Sequence, residues 1–491
     1  MSEPAPAPVR APELARPGTE WLNVAEPLSL KALAGRLVLL DFWTFCCINC
    51  LHVLATLRQV EEAFPTEVAV IGVHSPKFAA EKDAGNVRQA IARYDIGHPV
   101  LHDPEMQVWR DYAVKVWPTL VIVSPDGYVI GQSSGEPDAA RLIQTLRRLL
   151  EEARRGGHLR PAAIELTAPA PVHGRLSFPG KIKPLSFRGQ PAWAIADAGH
   201  HQVAVVSDQG RELLRLGSGR PGFADGGIAA ACFNSPQGLE AGADRLFVAD
   251  TGNHAIRAVD LTAGTVTTLA GAGQRGRALL GWEDARDAAL ASPWDLALAG
   301  DRLLFANAGT HQLGQIELTS GLLARLAGDG GEDIVDGHAA RARLAQPSGL
   351  ALSPARDAVF FVDSETSSLR LATLEERPRV GTLVGAGLFE FGHVNGPFPQ
   401  ARLQHPLGLA WRDGGLVVAD SYNARLRWVD LAQRSVGDLD EGFLCEDALC
   451  LPLAEPAGIA AAGGRLLVSD TNNHRILEYR LSERAYRTWF C

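Results

Sequence analysis

Three cysteines crowd into five residues of the stretch Asp41-Phe42-Trp43-Thr44-Phe45-Cys46-Cys47-Ile48-Asn49-Cys50, and the last two form a C-x-x-C. Thiols one helical turn apart suit thiol-disulfide exchange. A cysteine at a helix N-terminus meets unpaired backbone N–H groups and the positive end of the macrodipole, which favour thiolate over thiol. The second cysteine, one turn later on the same face, can attack a mixed disulfide and release it. Zinc is the competing use of such a pair, but no second Cys/His pair follows at metal spacing, and His52 and His74 stand singly on other elements.

The chemistry needs a strand that ends where a helix begins. Val38 to Phe42 is a continuous apolar run, and from Asn49 to Phe64 the residues Val53, Leu57, Val60 and Phe64 mark one helical stripe. A second buried strand is predicted at 68–73, and the order strand, helix, strand implies a right-handed crossover and a parallel pair. A helix is predicted at 86–94, a strand at 119–123, a tight turn at Ser124-Pro125-Asp126-Gly127, a strand at 128–130 and a closing helix at 142–153. Val116-Trp117-Pro118-Thr119 precedes the third apolar strand, where proline is tolerated only if no ladder N–H is needed.

With these features in order, residues 25 to 150 resemble the thioredoxin superfamily. The resemblance implies an active site of Asp41, Trp43, Cys47, Cys50 and Pro118, with Pro118 in a cis peptide facing the C-x-x-C and Trp117 beside it. Cys47 is then the nucleophile and Cys50 the resolving thiol. Asp41 in its apolar strand has its pKa raised by desolvation and accepts the proton of Cys50. The stretch between Val73 and Pro118 is longer than in plain thioredoxin, and resembles the redoxin or thiol-disulfide-reductase branch linked to peroxide and cytochrome maturation chemistry. The Gly-Pro between the cysteines is replaced by Ile48-Asn49, and Cys46 stands where thioredoxins carry an aromatic residue, so thioredoxin's reducing potential is not carried over. Cys46 reads as a small buried residue packed under the helix. Thr44, three residues before Cys47, raises a thiol peroxidase reading, although the proline of the peroxiredoxin signature is missing.

Composition frames the site. At 491 residues with 46% hydrophobic content, the chain is too long for one core. A net charge of −9 shared by both halves offers no footprint for nucleic acid or an anionic membrane. Seven cysteines in this length are too few for a disulfide scaffold, which suits a reducing compartment. Residues 1–20 are Ala/Pro-rich without an apolar h-region and are expected to be a disordered lead. No apolar run approaches the ~20 residues of a membrane span, so the expected address is cytoplasmic. The thioredoxin-like domain is assigned to 21–155 and a Pro-rich linker to 156–174.

From 175 to 491 the sequence repeats itself. Pro236, Pro293, Pro347, Pro406 and Pro456 each open a short motif, with Gly or Asp two residues on. Asp250, Asn307, Asp420 and Asp470 follow their prolines by fourteen residues, and Asp363 follows Pro347 by sixteen. Each ends an apolar strand and enters a turn. Counting Asp197 as a shortened first copy gives six copies at a period of 50 to 59 residues, which argues a six-bladed β-propeller. The motif resembles the NHL repeat. The Asp residues read as turn caps, and His201, His254, His311 and His474, at equivalent positions, as turn packing in place of a shared metal. Cys445 and Cys450 could pair across a loop or contact the front domain. Gly/Asp-rich loops at 223–226, 335–337 and 394–396 share one side of the disc by repeat symmetry, a surface suited to a protein or small ligand.

An α/β thioredoxin-like domain ahead of an all-β six-bladed propeller resembles the NHL-repeat-containing protein 2 family, whose animal members carry a further C-terminal β-domain beyond the point where this sequence ends. The expected function is thiol-disulfide oxidoreduction, with the propeller docking a partner or substrate. No cofactor is expected beyond a redox-active Cys47–Cys50 disulfide, and no metal. The partners are a protein or small-molecule disulfide and an external thiol reductant. The alternative is a redox-inert scaffold acting through its propeller, and a weaker one is a propeller lactonase or lyase.

Overall fold

The computed structural model describes residues 9–167, 174–439 and 451–491. The chain divides into two units, Met1–Val172 and His173–Cys491. The front unit runs β1 (Val9–Arg10), β2 (Glu20–Leu22), β3 (Leu37–Trp43), α1 (Ile48–Ala63), β4 (Val68–His74), a 3₁₀ turn (Ala79–Lys82), α2 (Ala84–Arg93), β5 (Val100–His102), α3 (Gln107–Asp111), β6 (Thr119–Val123), β7 (Tyr128–Ser134) and α4 (Ala139–Arg155). One sheet in the order β1-β7-β6-β3-β4-β5-β2 carries them.

Strand β3 sits at the sheet's centre, parallel to β4 and antiparallel to β6. All seven of its residues are buried, as their apolar run predicts. Burying one such side chain is worth about 1.5–3 kcal/mol, so β3 is a firmly anchored platform for the residues at its end. Phe42 packs edge-on against Trp109 and tilted against Tyr112, and Val38, Leu40, Ile71, Val73 and Val121 complete this core. Helix α1 packs on β4 and α4.

Two expected boundaries are corrected. Residues 9–20 are built into the unit: β1 pairs with β7, β2 with β5, and Ala11 and Leu14 lie in the core. Residues 156–167 pack back on the same unit. Arg160 N–H donates to Gly35 O at 2.7 Å, Ala162 N–H to Thr66 O at 3.1 Å and Thr167 N–H to Asn23 O at 2.9 Å, while Ile164 leans on the core. Proline content marked both stretches as open chain, yet edge pairing satisfies their backbone groups and a few aliphatic side chains find cover.

Six antiparallel sheets follow, at 179–216, 226–270, 283–327, 337–384, 396–438 and 456–490, the blades of a propeller. The residue ending the second long strand of each blade is Asp197, Asp250, Asn307, Asp363, Asp420 or Asp470, and all six are sealed from solvent. They accept no capping backbone N–H from their own turns, although Asp250, Asp420 and Asp470 accept there from the side-chain amides of Asn253, Asn423 and Asn473. Each accepts a backbone N–H from the loop entering its blade, from Ser177, Asn234, Ala291, Ala345, Gln404 and Ala454 at 2.7–2.9 Å. In the last blade the buried Arg475 meets Asp470 at 2.8 Å, and in three others a buried arginine seven residues after the carboxylate completes the clamp: Arg257 with Asp250 at 2.8 Å, Arg370 with Asp363 at 2.8 Å and Arg427 with Asp420 at 2.7 Å. Those three arginines also reach Asp225, Asp336 and Asn395 in the Gly/Asp-rich loops. Asn307 has no arginine to meet, because Gly314 stands at the matching place, and its amide bonds Thr310 instead.

The equivalent histidines join neighbouring blades. His201, His254, His311 and His474 have φ of 51–55°, and each Nδ1 accepts the N–H of Ser235, Ser292, Gln346 or Phe178 at 3.0–3.1 Å. The donors are the residues just before Pro236, Pro293, Pro347 and Pro179, themselves at positive φ. Pro179 thus heads a sixth copy. The His474 contact, Thr471 Oγ1 to Pro179 O at 2.8 Å and a shared apolar cluster close the ring between the last blade and the first, with no strand exchanged among the described residues. Cys445 and Cys450 lie outside the described residues.

Candidate active site

Strand β3 ends at Trp43, residues 44–47 turn, and α1 begins at Ile48 with Cys47 as its N-cap. The N–H of Cys50 donates to Cys47 Sγ at 3.4 Å and to Cys47 O at 3.0 Å. Cys47 is partly exposed, whereas Cys46 and Cys50 are buried. Cys46 Sγ lies 3.9 Å from Thr44 Oγ1. Burial first, then the neighbouring Cys47 and the charge of Asp41, pushes the Cys50 thiol well above its ordinary range.

Asp41 is sealed beneath this loop, and neither carboxylate oxygen has a hydrogen-bond partner among the described residues. Burial raises its pKa to about 8. A carboxyl poised there holds or releases a proton near neutral pH. The register Asp41–Leu120 and Phe42–Thr119 brings the start of β6 level with the end of β3. The Trp117–Pro118 peptide just before it is cis. Trp117 Nε1 donates to Ser75 O at 3.0 Å and its ring lies 4.5 Å from that of Trp109. Asp41, Trp43, Cys46, Cys47 and Cys50, around the end of β3, and Trp117 and Pro118, just before β6, therefore lie toward the same end of the sheet.

Several residues of this neighbourhood carried no signal in the sequence. His74, at the end of β4, stacks on Phe45 at 5.3 Å, meets Trp43 edge-on at 5.1 Å, and sets its Nδ1 3.2 Å from Nδ1 of His102. His102 Nε2 faces Lys82 O at 3.0 Å and so carries a proton. The neutral pair then has His74 Nδ1–H donating to His102 Nδ1. Burial, followed by the His102 charge, lowers the His74 pKa well below its usual value. Gly72 leaves room for this packing, since a Cβ there would lie 2.9 Å from Trp43 Nε1 and 3.3 Å from His98 Nε2. Glu81, buried on the 3₁₀ turn, accepts from Thr44 Oγ1 at 2.6 Å and from Cys46 N–H at 3.0 Å. Among the described residues no group of three or more His, Cys, Asp or Glu side chains is placed to hold a metal ion, and no helix is long and apolar enough to cross a membrane.

A thioredoxin-like family model matches residues 35–129 and an NHL repeat model matches 453–479. Protein SUPPRESSOR OF QUENCHING 1, chloroplastic, of Arabidopsis thaliana is 36% identical over 483 residues, 93% of this chain and 45% of the relative. The Bacillus subtilis thiol-disulfide oxidoreductase YkuV is 20% identical over 132 residues, 27% of this chain and 88% of the relative. NHL repeat-containing protein 2 of Homo sapiens is 36% identical over 500 residues, 94% of this chain and 68% of the relative. A thioredoxin-like domain and a propeller together give a redox-related or scaffold role. By its match along both units, the chain belongs to the NHL repeat-containing protein 2 family.

Proposed function

We propose that the chain is a thiol-disulfide oxidoreductase whose front unit performs the exchange and whose propeller docks the substrate or a partner. The observation that carries the reading is the asymmetry of the pair: Cys47 reaches solvent at the end of α1, while Cys50 is buried beside Asp41. In the reductive direction Cys47 sulfur attacks a substrate disulfide, forming a mixed disulfide and releasing one substrate thiol. Cys50 passes its proton to Asp41, and its sulfur attacks Cys47 sulfur and releases the second thiol. Two electrons have moved to the substrate, leaving a Cys47–Cys50 bridge that an external thiol reductant reopens with two electrons. Trp117 and Pro118 would present backbone to the incoming chain. The name of the Bacillus relative supports this chemistry for the front unit. Seven cysteines in 491 residues, three of them at the site, favour a reducing compartment such as the cytoplasm.

A second reading is a scaffold acting through the propeller, favoured by apolar side chains left exposed in the loops entering the blades: Leu280, Trp282 and Phe389. One experiment separates the two. The protein is equilibrated across a graded thiol/disulfide buffer, free thiols are alkylated, and bridges are located by peptide mass spectrometry. A reversible Cys47–Cys50 bridge at a potential between roughly −120 and −300 mV supports the oxidoreductase; its absence leaves the scaffold.

A further inference from the structure

The loop carrying the nucleophile is held from outside the C-x-x-C by one buried carboxylate. Glu81 is fully shielded from solvent. Its Oε1 accepts from Thr44 Oγ1 at 2.6 Å and Cys46 N–H at 3.0 Å, and its Oε2 accepts from Lys77 N–H and Phe78 N–H, both at 2.9 Å. Each of these four contacts brings a donor to the side chain. An ionised carboxylate accepts them all, whereas an amide, in either orientation, sets its NH2 against a backbone N–H. Glu81 thus ties the segment after β4 to the turn that leads from Trp43 into α1.

Three thiols within five residues raise a problem that a plain C-x-x-C does not have, since Cys46 could bridge Cys47 or Cys50 in place of the working pair. We propose that Glu81 is the positioning residue that selects which two thiols exchange: by holding Cys46 N–H and Thr44 Oγ1 it keeps the Cys46 thiol turned inward and leaves Cys47 as the sulfur presented to a disulfide. The inference rests on the oxidoreductase reading and deepens it. With a small disulfide such as oxidised glutathione as oxidant, Cys47 sulfur attacks and releases one glutathione. Cys50 sulfur then displaces the second from Cys47, so two electrons pass to glutathione and two protein thiols become one bridge. Without the Glu81 contacts, Cys46 sulfur competes for the second attack.

The test uses the full chain and its Glu81→Ala, Glu81→Gln and Thr44→Val variants. Each is equilibrated in a reduced/oxidised glutathione buffer and acid-quenched, and its remaining thiols are alkylated. Tandem mass spectrometry then finds which cysteine of the three carries the label. The wild type is expected to carry it on Cys46. In both Glu81 variants the share of bridges that include Cys46 rises about tenfold, the effect of losing one charged hydrogen bond, and the midpoint potential of the pair shifts. Thr44→Val keeps the carboxylate and loses one contact, so it shifts the label in the same direction by less and serves even where Glu81→Ala fails to fold. Label that stays on Cys46 in every folded variant, or a wild type that bridges through Cys46, overturns the inference and leaves the oxidoreductase reading standing. A wild type with no reversible bridge overturns both.

Discussion

The amide of Cys50 points at the sulfur of Cys47 across 3.4 Å, so the first turn of α1 supplies a donor to the one thiol of the three that is not buried. This division of labour predicts different outcomes for two similar substitutions. Cys50→Ser leaves the attacking sulfur in place and removes its resolver, so a mixed disulfide with substrate or glutathione accumulates and is seen by intact mass. Cys47→Ser abolishes exchange and traps nothing, because the remaining sulfurs are buried.

Asp41 makes activity and stability oppose one another. Its folded pKa of about 8 lies above the usual aspartate value of about 3.9. Between these the folded chain holds a proton that the unfolded chain has released, so the contribution to stability is full below about pH 4 and is lost as pH rises through 8. Asp41→Asn is therefore expected to raise the melting temperature of the front unit more at pH 8 than at pH 5, while slowing resolution of the mixed disulfide about 100-fold, the lower end of what a positioned proton acceptor contributes. Thermal melts at both pH values and stopped-flow exchange check the two halves.

His74 titrates with the opposite sense. Burial holds its folded pKa well below the usual 6.5, so the unfolded chain takes up a proton first as pH falls. The stability it supports is present above about pH 6.5 and is lost below that. His74→Phe keeps the ring against Phe45 and removes the titration. Melts of the front unit between pH 7 and 5 are expected to fall steeply in the wild type and more shallowly in the variant.

In the propeller, Arg257 and Asp250 are both fully buried at 2.8 Å, and breaking such a pair leaves an uncompensated charge. Arg257→Met is expected to cost about 3–5 kcal/mol. Adding Asp250→Asn should recover much of that, because the third blade already works with Asn307 opposite Gly314. Denaturant melts of both single variants and the double variant measure the coupling.

Much of the site was legible because its signals are local. The apolar run at 38–42 and the stripe Val53, Leu57, Val60 and Phe64 follow directly from strand and helix periods, and they place Cys47 at the junction. The propeller was legible for the same reason five times over, in the spacing from proline to the buried Asp or Asn, with Asp197 marking the shortened first copy. Glu81 was not. Within Ala79-Ala80-Glu81-Lys82-Asp83 it reads as one charge on a solvated turn, and only the packing of that turn against Thr44 and Cys46 buries it.

The sequence by itself determined the order of the elements, the clustering of three thiols where a strand gives way to a helix and the repeat that builds the blades, because each is written in residue type and short-range spacing. Tertiary structure alone decided which thiol is exposed and that burial raises the pKa of Asp41 to about 8. It also set His74 against His102, placed Glu81 against the turn at Thr44 and Cys46, and drew residues 9–20 and 156–167 into the front unit. Those outcomes depend on burial and on contacts between segments distant in the chain, and no local pattern encodes them.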